Sequence, residues 1–275
     1  MAIVINTNVN ALMAQNDLTR NQAGLSQAMQ RLASGVRIND ASDDPAGLAI
    51  AASMSQSAGE LYQGAQNGNT AVSLLQTAQS AMTDIQNIVT TMSQLASQAA
   101  NGVNSSSQLT NLDTEFQKLL GEINRVANDT TFNGINLLSG STSSVSVQIG
   151  PGSGTYDTLS VALSNMTTGS AGLAISTLDI STASGASAAL TSLNALTAVT
   201  TGLAVIGAGE ANTTAAVNVD SALSASLNSA KSRVEDTDYS AETSNLAKYQ
   251  VLSQANISML AQANAAPQLV LKLLQ

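Results

Sequence analysis

Charged side chains are scarce in this sequence, and many of them collect in two short segments. Nine basic and 18 acidic residues give a net charge of −9 over 275 residues. The first segment carries Arg31, Arg37, Asp40, Asp43 and Asp44; the second carries Lys231, Arg233, Glu235, Asp236 and Asp238. Guanidinium and carboxylate groups form charge-assisted hydrogen bonds, so one prediction is an ion-pair network. The other is a set of helix caps and solvated turns, in which exposed pairs contribute about 0–1 kcal/mol.

The chain contains no histidine and no cysteine. Their absence excludes imidazole general bases, nucleophilic triads, thiolate metal sites and disulfides. Carboxylate chemistry remains formally open, but no acidic cluster has an obvious substrate-binding context. We therefore predict a protein that is not an enzyme and needs no metal or other cofactor.

The charge pattern also bears on partners. Arginine and lysine are scattered singly, whereas a nucleic-acid-binding protein shows basic patches. The sequence contains no run of 18 or more apolar residues, so it predicts no membrane-spanning helix. Its first residues lack the basic segment and the apolar stretch of a secretory signal. We expect neither nucleic acid nor a membrane as a partner.

The apolar residues point to helices. Hydrophobic residues make up 44% of the chain but aromatic residues only 2%. Small and aliphatic side chains suit seams between closely packed helices better than a deep globular interior. The predicted fold is mainly α, with long helices at both ends.

Both ends of the chain show coiled-coil spacing. Leu18, Leu25 and Leu32 recur every seven residues. The final segment carries Leu246, Ile257, Leu260 and Leu274, and Pro267 is predicted to end or kink its helix near residue 266. An isolated helix with one apolar stripe is only marginally stable in water, so these segments require a partner helix.

A sturdier helical bundle is predicted between the ends. Gly35 is a helix stop, and Asp44 before Pro45 is a typical N-cap for a second helix that runs to about residue 100. A third helix over about 106–128 should pack against it as an antiparallel hairpin. Helical spacing returns over 190–206, is interrupted at residues 207–209, and resumes over 223–234. The spacing is compatible with one continuous helix or with a break within residues 207–220.

A short central region favours strands. Asn133-Gly134 predicts a tight turn, and the alternation over 145–149 predicts a strand with a partner at 158–163. Residues 164–188 are rich in Ser, Thr, Gly and Ala, and their apolar residues follow neither helical nor strand spacing. We therefore predict that residues 139–185 form the region most exposed to solvent.

Several long motifs resemble those of bacterial flagellins. At the amino-terminal side they are residues 5–8, residues 30–50 (QRLASGVRINDASDDPAGLAI), residues 122–126 and residues 131–134. At the carboxyl-terminal side they are residues 232–242 (SRVEDTDYSAE), residues 259–264 and Pro267-Gln268. The resemblance covers roughly residues 1–140 and 185–275.

The resemblance implies four parts. Residues 1–34 with 240–275 would form an inner coiled coil, in which the seam residues Leu18, Leu25, Leu32, Leu246, Ile257 and Leu260 are buried mainly in the polymer. Residues 35–44 with 229–239 would connect it to an outer bundle of residues 45–138 with 186–228. Residues 139–185 would face solvent, without large extra domains. The charged segments would then join neighbouring subunits.

The resemblance also implies a role and partners. The expected function is a structural subunit that self-assembles into the extracellular flagellar filament; a hook–filament junction protein is the alternative. Expected partners are copies of the chain, the flagellar type III export apparatus and its chaperone, the filament cap and hook-associated proteins.

A receptor motif of the family is degraded in this chain. Many flagellins carry a patch resembling Gln-Arg-Val-Arg-Glu-Leu that a toll-like receptor recognises, and the matching stretch here is residues 90–95. Both arginines are missing from it, although Leu95 and the companion acid Glu115 remain. The corresponding positions are Thr90, Thr91, Ser93, Gln94, Leu95 and Glu115, and weak or no receptor activation is expected.

Overall fold

The fold is mainly α, as the composition predicts. The computed structural model describes residues 7–152, 154–193 and 195–273, so Ile5 and Leu274 lie outside the described residues. The helices are α1 (Val9–Ser34), α2 (Pro45–Ala99), α3 (Ser106–Asp129), α4 (Ala183–Ser192), α5 (Ala195–Glu235) and α6 (Tyr239–Leu273). The strands are β1 (Thr131–Phe132), β2 (Ile135–Asn136), β3 (Ser144–Gln148) and β4 (Thr158–Ala162).

Local signals set the first helix ends. Gly35 follows α1 with a φ of 76°, a left-handed conformation that glycine adopts without steric cost. At the start of α2, Asp44 Oδ1 accepts hydrogen bonds from the backbone N–H groups of Ala46 and Gly47. The predicted helix stop and the predicted Asp-Pro cap are both confirmed.

The chain divides into two compact units. The first, here called the terminal unit, comprises the described residues up to Gln56 and those from Ser226 onward. The second, the central unit, comprises Ser57–Ala225 apart from residues 153 and 194. Helices α2 and α5 contribute residues to both.

The central unit has a continuous aliphatic core. Leu75, Met82, Ile85, Val89 and Met92 form its stripe on α2, and each is fully buried. Phe116 and Ile123 of α3 and Val199 and Ile206 of α5 join the same cluster. The alternation of threes and fours in α2 and α3 therefore predicted the face on which each helix is buried.

Two small antiparallel hairpins close one side of the central unit. Asn133 and Gly134, with φ values of 49° and 78°, make the tight turn between β1 and β2. Strand β3 pairs with β4 in the register Val147↔Leu159. Beyond β3, the carbonyl oxygen of Ile149 lies so close to Gly64 of α2 that a Cβ there would collide with it. The predicted turn and the predicted strand pair are confirmed.

Helix α5 is continuous through residues 207–220, where the sequence left the continuity of the helix open. Gly202, Ile206 and Thr213 are buried on one face of the helix. A Cβ at Gly202 would contact the terminal methyl groups of Met82 and Met166, and Thr213 Oγ1 donates to the Gly209 carbonyl at 2.7 Å. Packing of Gly202 against the core thus offsets the roughly 1 kcal/mol by which a glycine disfavours a helix, whereas nothing lies within 4 Å of a Cβ added to Gly207.

Helix α6 continues through Pro267 to Leu273, so it does not end near residue 266, while the alternative prediction of a kink there stays a prediction. A proline removes one backbone hydrogen bond, at a cost of about 3 kcal/mol in a helix interior. The other hydrogen bonds of this 35-residue helix continue on both sides of the missing one.

One helical stretch has the length and apolar character of a membrane span. An 18-residue window within residues 183–235 has a mean hydropathy of 1.5, although polar residues interrupt its apolar ones. The core helix of a soluble protein passes the same test. Helix α5 buries Val199, Gly202 and Ile206 in the central unit.

Candidate self-assembly surface

Helices α1 and α6 pack against each other as an antiparallel pair within the terminal unit. Near one end, Asn8 Nδ2 donates to the Ala263 carbonyl at 2.8 Å. Midway, Gly24 lies against the ring of Tyr249, since a Cβ on Gly24 would be 2.6 Å from it. These contacts fix the register of the pair.

The seam between the two helices follows heptad spacing and is only partly buried. On α1 it comprises Ala11, Ala14, Leu18, Asn21, Leu25, Ala28 and Leu32. On α6 it comprises Glu242, Leu246, Tyr249, Ser253, Asn256, Leu260 and Ala263. Five of the six predicted seam residues, namely Leu18, Leu25, Leu32, Leu246 and Leu260, lie on it and are half-buried. Their burial by neighbouring copies stays a prediction.

Ile257 lies beside the α1–α6 seam and not on it. It is 50% exposed and adjoins Asn256, which occupies the seam position. Its burial by neighbouring copies stays a prediction. The structure extends the heptad from Tyr249 through Ser253 and Asn256, and polar side chains at those positions gave no hydrophobic signal.

The outer faces of both helices carry large exposed apolar side chains. On α6, Val251 is 69% exposed and Met259 61% exposed, in addition to Ile257. On α1, Leu12 and Met13 are similarly exposed. Each of these exposed apolar side chains is a candidate for burial against another copy of the chain. We call these five side chains the outer apolar face.

The charged segments meet within the terminal unit. Val36 and Asp236 form an isolated β-bridge, and the Arg37 N–H donates to the Glu235 carbonyl at 2.6 Å. The Arg37 guanidinium donates to the Val234 carbonyl at 2.7 Å. Arg37 therefore satisfies carbonyl groups that the end of α5 leaves without helical partners.

Asp43 organises the turn before α2. The backbone N–H groups of Asn39 and Asp40 both donate to its Oδ2, and they hold the pKa of the Asp43 carboxyl below its usual value. Gln27 donates to Oδ1 at 3.0 Å, and Arg31 lies 3.8 Å from the same oxygen. The structure thus brings Arg31, Asp40 and Asp43 together inside one chain.

The remaining charged candidates have local contacts. Asp44 caps α2, Glu235 pairs with Lys231 at 3.6 Å, and Asp236 accepts from Ser232 Oγ at 2.5 Å. Arg233 is exposed on the last turn of α5. Several of these residues therefore act as caps and turn contacts within the chain, and their predicted contacts between subunits stay a prediction.

The receptor-patch positions lie on α2 and α3 in the central unit. Thr90 and Thr91 are exposed, and their hydroxyls donate to the carbonyls of Gln86 and Asn87 in the preceding turn. Gln94 and Glu115 are exposed, and Ser93 is half-buried. Leu95 is buried in the core, so its side chain offers little surface to a partner. Among the residues described, no group of three acidic, histidine or cysteine side chains could hold a metal ion.

Comparison with known proteins agrees with this arrangement. Residues 5–143 match the bacterial flagellin N-terminal helical region, and residues 192–274 match the bacterial flagellin C-terminal helical region. The flagellin of Listeria monocytogenes is 34% identical over 98% of this chain and 99% of its own length. The chain belongs to the bacterial flagellin family. The flagellin of Halalkalibacterium halodurans is likewise 34% identical, over 99% of this chain and all of its own length.

A longer flagellin matches this chain over only part of its own length. The phase 1 flagellin of Salmonella naestved is 41% identical over 63% of this chain, but the match covers only 34% of that protein. The Listeria and Halalkalibacterium proteins match along their whole lengths. The expectation of a short flagellin is therefore confirmed.

Sequence reasoning missed the contact between Gly24 and Tyr249. Gly24 precedes Leu25 by one residue, and Tyr249 follows Leu246 by three. A heptad drawn through all residue types from Leu246 would have placed Tyr249 on the seam, opposite a helix position with room for an aromatic ring.

Proposed function

We propose that this chain is a structural subunit that polymerises with copies of itself into the bacterial flagellar filament. Full-length similarity to flagellins supports the role. The structural observation that carries it is the α1–α6 pair, with a half-buried seam and an outer apolar face. A component of the filament acts outside the cell.

The energetics favour association. Burying apolar surface stabilises by about 25 cal/mol per Å², so half-exposed leucines leave part of the available stabilisation unused in one chain. Neighbouring copies that cover Ile257, Val251 and Met259 would recover it. The terminal pair is then completed by the polymer.

Assembly is the direct test. Concentrated protein with filament seeds and a precipitant salt should form long filaments by negative-stain microscopy. Short caps on existing hooks, without elongation, would instead indicate a hook–filament junction protein. Protein that stays monomeric under all these conditions would contradict both roles.

Hydrogen exchange tests the role assigned to the ends. In the monomer, amide hydrogens of α1 and α6 should exchange faster than those of α2 and α3, because the terminal seam is only half-buried. In the filament, the α1 and α6 amides should become protected. Equal protection of these helices in both states would rule out burial of the seam by polymerisation.

We extend the proposal to the charged segments. Arg233 is exposed, and the Arg31–Asp43 and Lys231–Glu235 pairs lie in the terminal unit, so these groups are available to neighbouring subunits in the polymer. Exposed pairs are screened by salt. Filaments of an Arg233→Gln variant should therefore lose part of the salt sensitivity of the original filament, while an unchanged salt profile would favour a purely local role.

We also propose the partners that the family implies. These are the flagellar type III export apparatus and a chaperone during secretion, and the filament cap and hook-associated proteins during growth. Family membership is their support. Cells that lack the export apparatus should retain the chain inside, and cells that lack the cap should release it into the medium as monomer.

Weak recognition by a toll-like receptor is the last part of the proposal. The stretch from Thr90 to Leu95 carries no cation, and Leu95 is buried. Hydrogen bonds to charged groups contribute about 1.5–3 kcal/mol each, so two missing arginines remove a large share of an interface. A cell reporter assay should show weak activation, and replacing Thr91 and Ser93 by arginine should raise it.

A further inference from the structure

The buried face of α5 carries three polar residues, and one of them has an unsatisfied oxygen. Thr213 Oγ1 donates to the Gly209 carbonyl, and Ser224 Oγ donates to the Ala58 carbonyl at 2.9 Å. Asp220 lies between them and is only 7% exposed. Its Oδ2 is buried without a hydrogen-bond partner. A buried carboxylate without such compensation is costly.

Close packing of α2 against α5 encloses this carboxyl group. A Cβ added to Gly68 of α2 would collide with Val217 of α5, and the Ser224–Ala58 hydrogen bond lies further along the same pair. These two contacts bracket Asp220 in an antiparallel register. It therefore faces the stretch of α2 that contains the buried residues Leu61 and Ala65.

No cationic residue occurs in the chain segments that surround Asp220. On α2 the titratable residues between Ala58 and Gly68 are Glu60 and Tyr62. The turn that packs over Gly64 carries Asp157, whose Oδ2 accepts from the Gly154 N–H. Helix α5 has no other charged residue between Glu210 and Lys231. Burial is the cause that raises the pKa of Asp220 above its usual value.

We propose that Asp220 is a proton-operated switch in the α2–α5 pair: the neutral carboxyl fits the closed pair, and its ionisation loosens it. On the outer side of the same turns, Val219 is 63% exposed and Leu223 is 47% exposed. The position of α5 sets how these side chains are presented to another subunit. Proton uptake therefore favours assembly, a step that rests on the proposed filament function.

The direction of the pH effect follows from proton linkage. Because the folded state raises the pKa of Asp220, it holds this proton more tightly than the unfolded chain does. Asp220 destabilises the fold fully above its folded pKa. The destabilisation decreases as the pH falls from the pKa of Asp220 in the folded state to its pKa in the unfolded state. Below both pKa values Asp220 is protonated in either state and no longer destabilises the fold.

The first experiment measures unfolding of the monomeric full chain in denaturant between about pH 4 and about pH 7.5, a range that begins near the ordinary aspartate pKa. The Asp220→Asn variant should have a higher free energy of unfolding than the original protein at the upper pH. This difference in unfolding free energy should shrink to zero as the pH falls. Asp84→Asn, which neutralises an exposed carboxylate on α2, is the matched control without a closing difference. A difference that stays constant with pH would overturn the proposal.

A second readout avoids any folding defect in the variant. The side-chain carboxyl carbon of Asp220 can be titrated by NMR in the original protein. It should titrate at higher pH than an ordinary aspartate side chain. Titration of Asp220 in the ordinary aspartate range would overturn the switch.

The third experiment connects the switch to assembly. The critical concentration of the original protein should fall on acidification, by up to about tenfold for each unit by which assembly raises the pKa of Asp220 above its value in the monomer. The Asp220→Asn protein should lose that part of the pH dependence. Equal pH dependence in both proteins would overturn the switch but leave the filament function intact. Failure of both to form filaments at every pH would contradict the filament function, while the NMR titration would still decide the switch.

Discussion

The terminal and central units use the same kind of residue pattern with different degrees of burial. In the central unit, Leu75, Ile85 and Phe116 are fully buried within one chain. In the terminal unit, Leu18, Leu25 and Leu246 occupy equally regular positions but are only half-buried. Heptad spacing therefore identifies the buried side of a helix, while the completeness of that burial depends on how many helices pack around it.

The two units should differ most in how much stability is lost when a large apolar side chain is replaced by alanine. Phe116→Ala should destabilise the monomer by about 3–5 kcal/mol, because it leaves a cavity in a closed core. Leu25→Ala should cost less than half as much, since its side chain already contacts solvent. Denaturant unfolding of the monomer measures both. Similar losses for the two variants would remove the distinction between the units.

Helix glycines offer a second contrast. Gly64→Ala should destabilise the central unit by about 1–3 kcal/mol, because the new methyl group would meet the backbone carbonyl of Ile149. Gly24→Ala should cost less, because the Tyr249 ring opposite it can move. Gly59→Ala is the control: nothing lies within 4 Å of the added group. That variant should gain about 0.5–1 kcal/mol from helix propensity.

The outer apolar face should matter to the polymer and not to the monomer. Ile257→Ser should change monomer stability by no more than about 0.5 kcal/mol, as is usual for surface substitutions. If neighbours bury this side chain, the loss of about 1 kcal/mol of burial should raise the critical concentration several-fold. Sedimentation of filaments measures it. Tyr156→Ser changes a fully exposed side chain of the β3–β4 turn and serves as the central-unit control.

The smallest expected effect is at the charged segment. Arg37→Ala removes the guanidinium that donates to the Val234 carbonyl and should cost about 0.5 kcal/mol, because the group is exposed and water can replace it. Hydrogen exchange at the end of α5 should accelerate. Arg20→Gln, an exposed change on α1, should leave that exchange unaltered.

Much of the fold was predictable from residue patterns. The Asp-Pro cap, the Gly35 stop, the Asn-Gly turn and the apolar stripes of α2 and α3 are local signals, and each agrees with the structure. The continuity of α5 was not predictable, since Gly207 and Gly209 disfavour a helix, and the packing of Gly202 against Met82 and Met166 exists only in the folded chain. The place of Ile257 beside the seam was not predictable either, because polar residues complete the seam of α6.

The sequence by itself determined the class of fold, the membership of the flagellin family and the lack of histidine and cysteine chemistry, because spacing, long motifs and residue types are properties of the chain alone. Tertiary structure decided which carbonyls Arg37 satisfies, which side of α6 stays exposed and that Asp220 is buried with an unsatisfied oxygen. These depend on distances between residues far apart in sequence, such as Arg37 and Val234, and those distances are fixed only when the helices pack.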